Sequence, residues 1–197
     1  MKRRFLLLSA AVILVGLVAP LPAQDKVKEF EYYPLKVGTT WEYLANGQRI
    51  TLRVTKIEKY DDVPCALVET SAKGMVLGTE HISVGKDGVY RHTMNGQKVE
   101  PAVRFLKLPF KSGDTWKVNA KIAGQDLKAE YTYSEEEITV PAGKFKTIVT
   151  KTNKFSAGGQ DIEATIWYAK GVGMVKTIMN IGGNKIELEM DKFTPAK

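Results

Sequence analysis

His81 and His92 are the two histidines of the chain, and they are the first residues that could hold a metal or move a proton. With Lys86-Asp87 as the loop of a hairpin, the two rings fall opposite each other across a strand pair. A zinc site needs at least three protein ligands, and the flanking Glu80 and Arg91 point to the other face. The pair is therefore read as an incidental cross-strand contact, and no metal is assigned. Glu135, Glu136 and Glu137 place three carboxylates in a row. Acid–base work by a carboxylate pair requires one group in an apolar pocket, so three successive strand residues ahead of Pro141 are read as a solvated strand end. Cys65 lies beside Ala66 and Leu67 with no base in its neighbourhood, the setting of a buried inert thiol. Beyond residue 23 the serines are Ser71, Ser83, Ser112, Ser134 and Ser156, none in a nucleophile-elbow context. Gly171-Val172-Gly173 has part of a phosphate-loop pattern but lacks the third glycine and a helix start, so it is read as a hairpin or bulge. No catalytic residue and no cofactor is assigned, and the chain is read as a non-enzyme.

The elements that must carry these residues begin after a leader. Lys2, Arg3 and Arg4 precede an apolar run from Phe5 to Leu21, and Ala23 stands just before Gln24 and Asp25. That is the layout of a cleavable signal peptide over residues 1–23, broken by Pro20 and Pro22 where a cleavage enzyme needs extended chain. The expected destination is the periplasm or the exterior, with no integral span left after cleavage. Removing the leader takes away three basic and no acidic groups, so a formal charge of +7 falls to +4. Lysines then alternate with acids along the chain, as at Lys128 and Glu130, which is a solvated face rather than a nucleic-acid footprint. Cys65 is the sole cysteine, so no intramolecular disulfide can form and stability must come from a core. Residues 24–197 are enough to bury one and fit a single domain.

Almost nothing after residue 30 has a helical period. Trp116, Val118, Ala120 and Ile122 alternate with Lys117, Asn119 and Lys121, and Leu127, Ala129, Tyr131 and Tyr133 alternate with polar neighbours. Each such strand has one wet and one dry face. Hairpin loops at Asn46-Gly47, Gly124-Gln125, Gly158-Gly159 and Gly182-Gly183 keep the dry faces in phase. They predict Tyr43 opposite Ile50, Val118 opposite Tyr131, Phe155 opposite Ile162, Val149 opposite Tyr168, and Met179 opposite Ile186. With the weaker turn signals, ten to twelve strands are expected.

Leu35, Val37, Gly38, Thr40 and Trp41 recur 75 residues later as Phe110, Ser112, Gly113, Thr115 and Trp116. The chain thus reads as two diverged repeats, residues 33–105 and 106–193. Two half-sheets that cannot cover their dry faces alone would close on each other, so the fold class is an all-β antiparallel meander forming a curled sheet, a barrel or a sandwich. A barrel of this size either fills with side chains or encloses a ligand. Trp41 and Trp116 are expected to close the two ends of the core. Trp167 is out of phase with Ile162, Ala164, Ile166 and Tyr168, so it should face the other side, where it is a candidate contact surface.

The stretches Tyr32-Tyr33-Pro34-Leu35-Lys36-Val37-Gly38 through Trp41, Val140 to Phe145, and Trp167 to Val175 resemble a group of uncharacterised exported bacterial proteins rich in β-structure. The resemblance implies fold and location and carries no activity. More coarsely, a long curling antiparallel sheet is similar to the periplasmic lipoprotein carriers, which hold acyl chains in a half-barrel. The leading expectation is an exported, non-enzymatic envelope protein that binds an apolar or amphiphilic small molecule inside its sheet, with Tyr43, Leu52, Val118 and Tyr131 as candidate lining. A structural or protein-interaction module with a solid core, an envelope protein docking near Trp167, is the alternative. A hydrolase is a third reading, disfavoured by the even spread of Lys, Glu and Thr.

Overall fold

The computed structural model describes residues 27–152, 155–157 and 159–197, so the leader assigned to residues 1–23 lies outside the described residues. The described chain is all-β, with thirteen strands where ten to twelve were expected. They are β1 (Thr40–Ala45), β2 (Gln48–Tyr60), β3 (Val63–Ala72), β4 (Met75–Val84), β5 (Gly88–Met94), β6 (Gln97–Lys107) and β7 (Thr115–Ile122). There follow β8 (Gln125–Val140), β9 (Gly143–Thr152), β10 (Phe155–Ala157), β11 (Gln160–Ala169), β12 (Gly173–Ile181) and β13 (Asn184–Thr194).

Each strand from β1 to β8 pairs antiparallel with the next, β9 pairs with β11, β11 with β12, β12 with β13, and β13 returns to β1. Those pairings close the sheet into a barrel of twelve strands. The short β10 continues β9 beyond residues 153–154 and pairs with the same two neighbours, β8 and β11. Closure removes the exposed edges on which an open sheet would aggregate. Neighbouring strands alternate in direction, so the hairpin tips at 46–47, 73–74, 95–96, 123–124 and 182–183 share one end, the turn end. The chain enters at Thr40 and leaves at Thr194 from the opposite end.

Alternation along the strands selects the buried face. Tyr43, Val54, Ile82, Val89, Leu106, Val175 and Met190 point inward and are fully buried, and each such side chain stabilises the fold by about 1.5–3 kcal/mol. The Asn46-Gly47 loop sets Tyr43 opposite Ile50 and Trp41 opposite Leu52, as expected. Gly182-Gly183 sets Met179 opposite Ile186, and the turn ahead of Gln160 sets Phe155 opposite Ile162. Two registers differ from expectation. The β7–β8 turn is Ala123-Gly124, with Ala123 itself at φ 50°, so Val118 faces Ala129 and Tyr131 faces Trp116. The slip is two residues, which preserves the dry face and changes only the partners. Between β9 and β11, Val149 faces Trp167 and Tyr168 faces Ile148, one residue from the register that Phe155 and Ile162 would extend.

Trp41 and Trp116 both start odd-numbered strands, so they lie at the same end of the barrel rather than closing two ends. Around them one set of backbone bonds occurs twice. Gly38 N–H donates to Val54 O and Val54 N–H to Thr39 O; Gly113 N–H donates to Tyr133 O and Tyr133 N–H to Asp114 O. The weakest seam is β6–β7, where pairing is confined to Val99 with Ile122 and Glu100 with Lys121. Beyond it aromatic side chains replace the ladder. Trp116 Nε1–H donates to Arg104 O at 2.9 Å, while the Tyr133 hydroxyl accepts from Lys107 N–H at 2.7 Å and donates to Lys107 O at 2.9 Å.

The segment before β1 seals the end where the chain enters. Tyr33 and Leu35 are buried, and the Tyr33 ring meets Phe105 edge-on at 5.4 Å, with Trp41 and Tyr168 within 6.2 Å. Gly171 N–H donates to Glu31 O, and Trp41 Nε1–H to Val172 O. This seal requires glycine at 173: φ there is 96°, and a Cβ would sit 3.2 Å from Trp41 Nε1 and 3.3 Å from Pro34.

Candidate functional site in the barrel lumen

Packing does not fill the barrel. A cavity of about 460 Å³ runs inside it, lined by residues from the pre-β1 segment and from strands all round the ring. Its volume falls in the range of small-molecule pockets, about 300–1,000 Å³. Toward the turn end the walls are mainly apolar, including Met94, Ile122, Phe155, Ile162, Met179 and Ile181, with Thr70, Asn95 and Thr152 among them. Toward the sealed end lies a polar floor of Glu80, Arg91, Tyr33, Tyr131 and Tyr168.

Glu80 and Arg91 come from neighbouring strands, β4 and β5, on the face shared with Ile82 and Val89. Arg91 Nε–H donates to Glu80 Oε2 at 3.0 Å, and the guanidinium lies 5.0 Å over the Phe105 ring. Their side chains retain 23% and 24% exposure, and because both line the cavity that exposure is to the lumen. Burial works against the Arg91 charge, but Glu80 and the nearby phenols outweigh it and hold the guanidinium more firmly protonated than usual. No hydrogen bond among the described residues engages its two terminal nitrogens.

The tyrosines divide. Tyr33, Tyr131 and Tyr168 are 7%, 7% and 2% exposed, yet no hydrogen bond engages their hydroxyls among the described residues. Burial raises the pKa of all three above the usual phenol value, so they stay neutral donors. Of the candidate ligand residues, Leu52 and Tyr131 line the cavity. Tyr43 is fully buried and spends its hydroxyl on Met174 O at 2.8 Å, and Val118 packs against the core without reaching the cavity wall. Trp167 faces away from the lumen; it is covered rather than open, donates from Nε1 to Glu136 Oε2 at 2.9 Å, and has Lys176 5.9 Å from its ring centroid.

The other face of the β4–β5 hairpin carries the histidines. His81 bridges Glu58 Oε1 and Thr93 Oγ1 at 2.9 Å each, and His92 Nε2 meets Ser83 Oγ at 2.8 Å. Burial, with His81 behind it, lowers the His92 pKa; hydrogen bonds from Lys56 and then His81 lower that of Glu58. The Ser83–His92 contact is half of a nucleophile arrangement, but Ser83 is buried and among the described residues no carboxylate bonds the second His92 nitrogen. Cys65 is fully buried, which pushes its thiol up to about 11. Glu136 serves Trp167 and Glu137 pairs with Lys144 at 2.6 Å, so the glutamate run braces the outer surface. Among the described residues no cluster of His, Cys, Asp and Glu has metal-binding geometry, and no helix is long and apolar enough to cross a membrane.

The sequence reading placed Glu80 and Arg91 only as residues facing away from the histidines. The available signal was two opposite charges in phase with Ile82 and Val89 on a dry face.

The fold and lumen define a closed antiparallel barrel with an apolar cavity over a polar floor. Residues 111–186 match the model of the DUF3108-like family. A candidate lipoprotein from Parabacteroides distasonis has the same fold, with a TM-score of 0.53 and 15% identity over 87% of this chain and 100% of its own. A candidate exported protein from Bacteroides fragilis, described as having a YmcC-like fold, gives a TM-score of 0.48 and 12% identity over 83% of this chain and 98% of its own. No curated protein matches the sequence.

Proposed function

We propose that this is an exported envelope protein that binds one small amphiphile in its lumen without transforming it. The observation that carries this reading is the cavity itself: about 460 Å³, apolar toward the turn end and polar at its floor, inside a barrel sealed by Tyr33 at the other end. A solid-core interaction module would have no need to leave that space or to line it with three phenols that have no hydrogen-bond partner among the described residues. Around the mouth, Met75, Val76 and Leu77 at the tip of the β3–β4 hairpin are 64%, 56% and 56% exposed. This lip suits a protein that takes an apolar ligand from a surface or passes it on. The leader and the family resemblance support export. The test is native mass spectrometry of the mature protein taken from its own envelope, with denaturing extraction of what it carries. A stoichiometric small amphiphile is expected; a clean apoprotein mass, with no uptake of a neutral environment-sensitive probe, would sink the reading.

A further inference from the structure

From the charge balance of the lumen we infer that the ligand enters head first and that its head is an uncharged hydrogen-bond acceptor, such as an ester or amide carbonyl. The inference rests on the lumen-binding reading and narrows its ligand class. Of the residues lining the cavity, Glu80 and Arg91 alone carry charge, and they are paired with each other at 3.0 Å. A carboxylate or phosphate head would bring a charge with no counter-charge left to meet it, and an uncompensated charge in a buried site costs several kcal/mol. A bare hydrocarbon would leave the floor equally unanswered. The floor is rich in donors: the terminal nitrogens of Arg91 and the hydroxyls of Tyr33, Tyr131 and Tyr168 are not engaged by hydrogen bonds among the described residues. The acceptors there are the phenol oxygens and one oxygen of Glu80 that has no partner among the described residues, its other oxygen taking the Arg91 Nε–H; the terminal guanidinium N–H groups, which can only donate, tip the balance to donors. Three of these donors sit on side chains more than nine-tenths buried as a whole, and no side-chain nitrogen or oxygen among the described residues is both buried and unpaired, so their hydroxyls open on the lumen, where an acceptor from a ligand would meet them. The head goes in because donors gather at the sealed end and the apolar walls lie toward the mouth.

The experiment compares three ten-carbon probes, methyl decanoate, decanoate and decane, as competitors of a neutral fluorescent probe bound to the mature protein at pH 8. Methyl decanoate should displace it at a concentration about tenfold lower than either of the others, the worth of one or two net hydrogen bonds. Glu80→Gln leaves the Arg91 charge unopposed and should reverse the order, with decanoate gaining at least about tenfold. If decanoate competes as well as the ester in the wild type, the charge-balance argument fails; if decane does, the head site fails. Either result leaves lumen binding standing. Failure of every probe overturns the lumen reading together with this one. Should Glu80→Gln not fold, the wild-type order of the three probes decides.

Discussion

Five tyrosines are buried inside this barrel, and they follow two patterns. Tyr43 and Tyr133 spend their hydroxyls on backbone: Tyr43 on Met174 O, and Tyr133 on both polar groups of Lys107 where β6 has parted from β7. Tyr33, Tyr131 and Tyr168 are as deeply buried, yet they turn their hydroxyls to the cavity around Arg91 without a partner among the described residues. Phenols of the first kind hold the barrel shut; the hydroxyls of the second kind open on the lumen and add no hydrogen bond to the fold among the described residues. Such hydroxyls are free to bond a ligand.

The largest effect should come from the charges these phenols surround. Arg91→Met leaves Glu80 alone in the lumen, and stranding one partner of a buried pair costs about 3–5 kcal/mol. Urea unfolding should show this as a lower midpoint at unchanged slope. Adding Glu80→Met should recover most of it, because the pair as a whole contributes little net stability. If the double variant is no better than the single one, Arg91 is holding the wall by packing rather than by charge.

Next comes the seam. Tyr133→Phe deletes a hydroxyl that both donates to and accepts from Lys107, and leaves two backbone groups unmet. A loss of about 1–3 kcal/mol is expected, with faster amide exchange confined to β6 and β7. A melting temperature equal to wild type would show that the seam does not depend on this bridge.

The acid window follows from the outer face of the same β4–β5 hairpin. The folded His92 pKa is depressed, so below about pH 6.5 the unfolded chain takes up the proton first and stability falls with pH. The folded Glu58 pKa is also depressed, so its contribution is present above the unfolded carboxylate value and lost as pH falls through the folded one. Both losses have the same sign and are smaller than those above, because Glu58 is one-third exposed and screened. Unfolding midpoints between pH 7.5 and 4 should decline, and His92→Asn should flatten the upper part of that decline. An unchanged slope in that variant would move the effect to other groups.

How much of this was legible beforehand depends on the range of the interaction. Alternation gave the dry faces of β7 and β8, and Asn46-Gly47 gave the first hairpin register, because both are set within a few residues. The Ala123-Gly124 turn was misplaced by one, and the register therefore by two, because alanine at positive φ is not a residue that a turn rule selects. Closure through β9 and β11 is shifted by one residue from the register of β10 with β11, a change that no local pattern announces. Leu52 and Tyr131 were reachable from phase alone, whereas Tyr43 is in phase and still misses the cavity, its hydroxyl taken by Met174 O. Glu80 and Arg91 were passed over because a charge on a dry strand face carries meaning only once the strand is known to bound a lumen.

The smallest expected effect on stability is also the sharpest test of the two kinds of tyrosine. Tyr168→Phe removes a hydroxyl without a protein partner among the described residues and leaves the ring where it packs on Tyr33 at 6.2 Å. Unfolding free energy should change by less than about 0.5 kcal/mol, since the deleted hydroxyl makes no hydrogen bond within the protein among the described residues. Affinity for methyl decanoate should nonetheless drop by about fivefold, one hydrogen bond's worth, while decane is unaffected. Tyr133→Phe should do the opposite, losing stability with ligand preference intact. If both variants lose stability alike, the Tyr168 hydroxyl has a structural partner and the division between the two groups collapses. If neither changes the preference for ester over alkane, the floor of the cavity does not read the ligand's head.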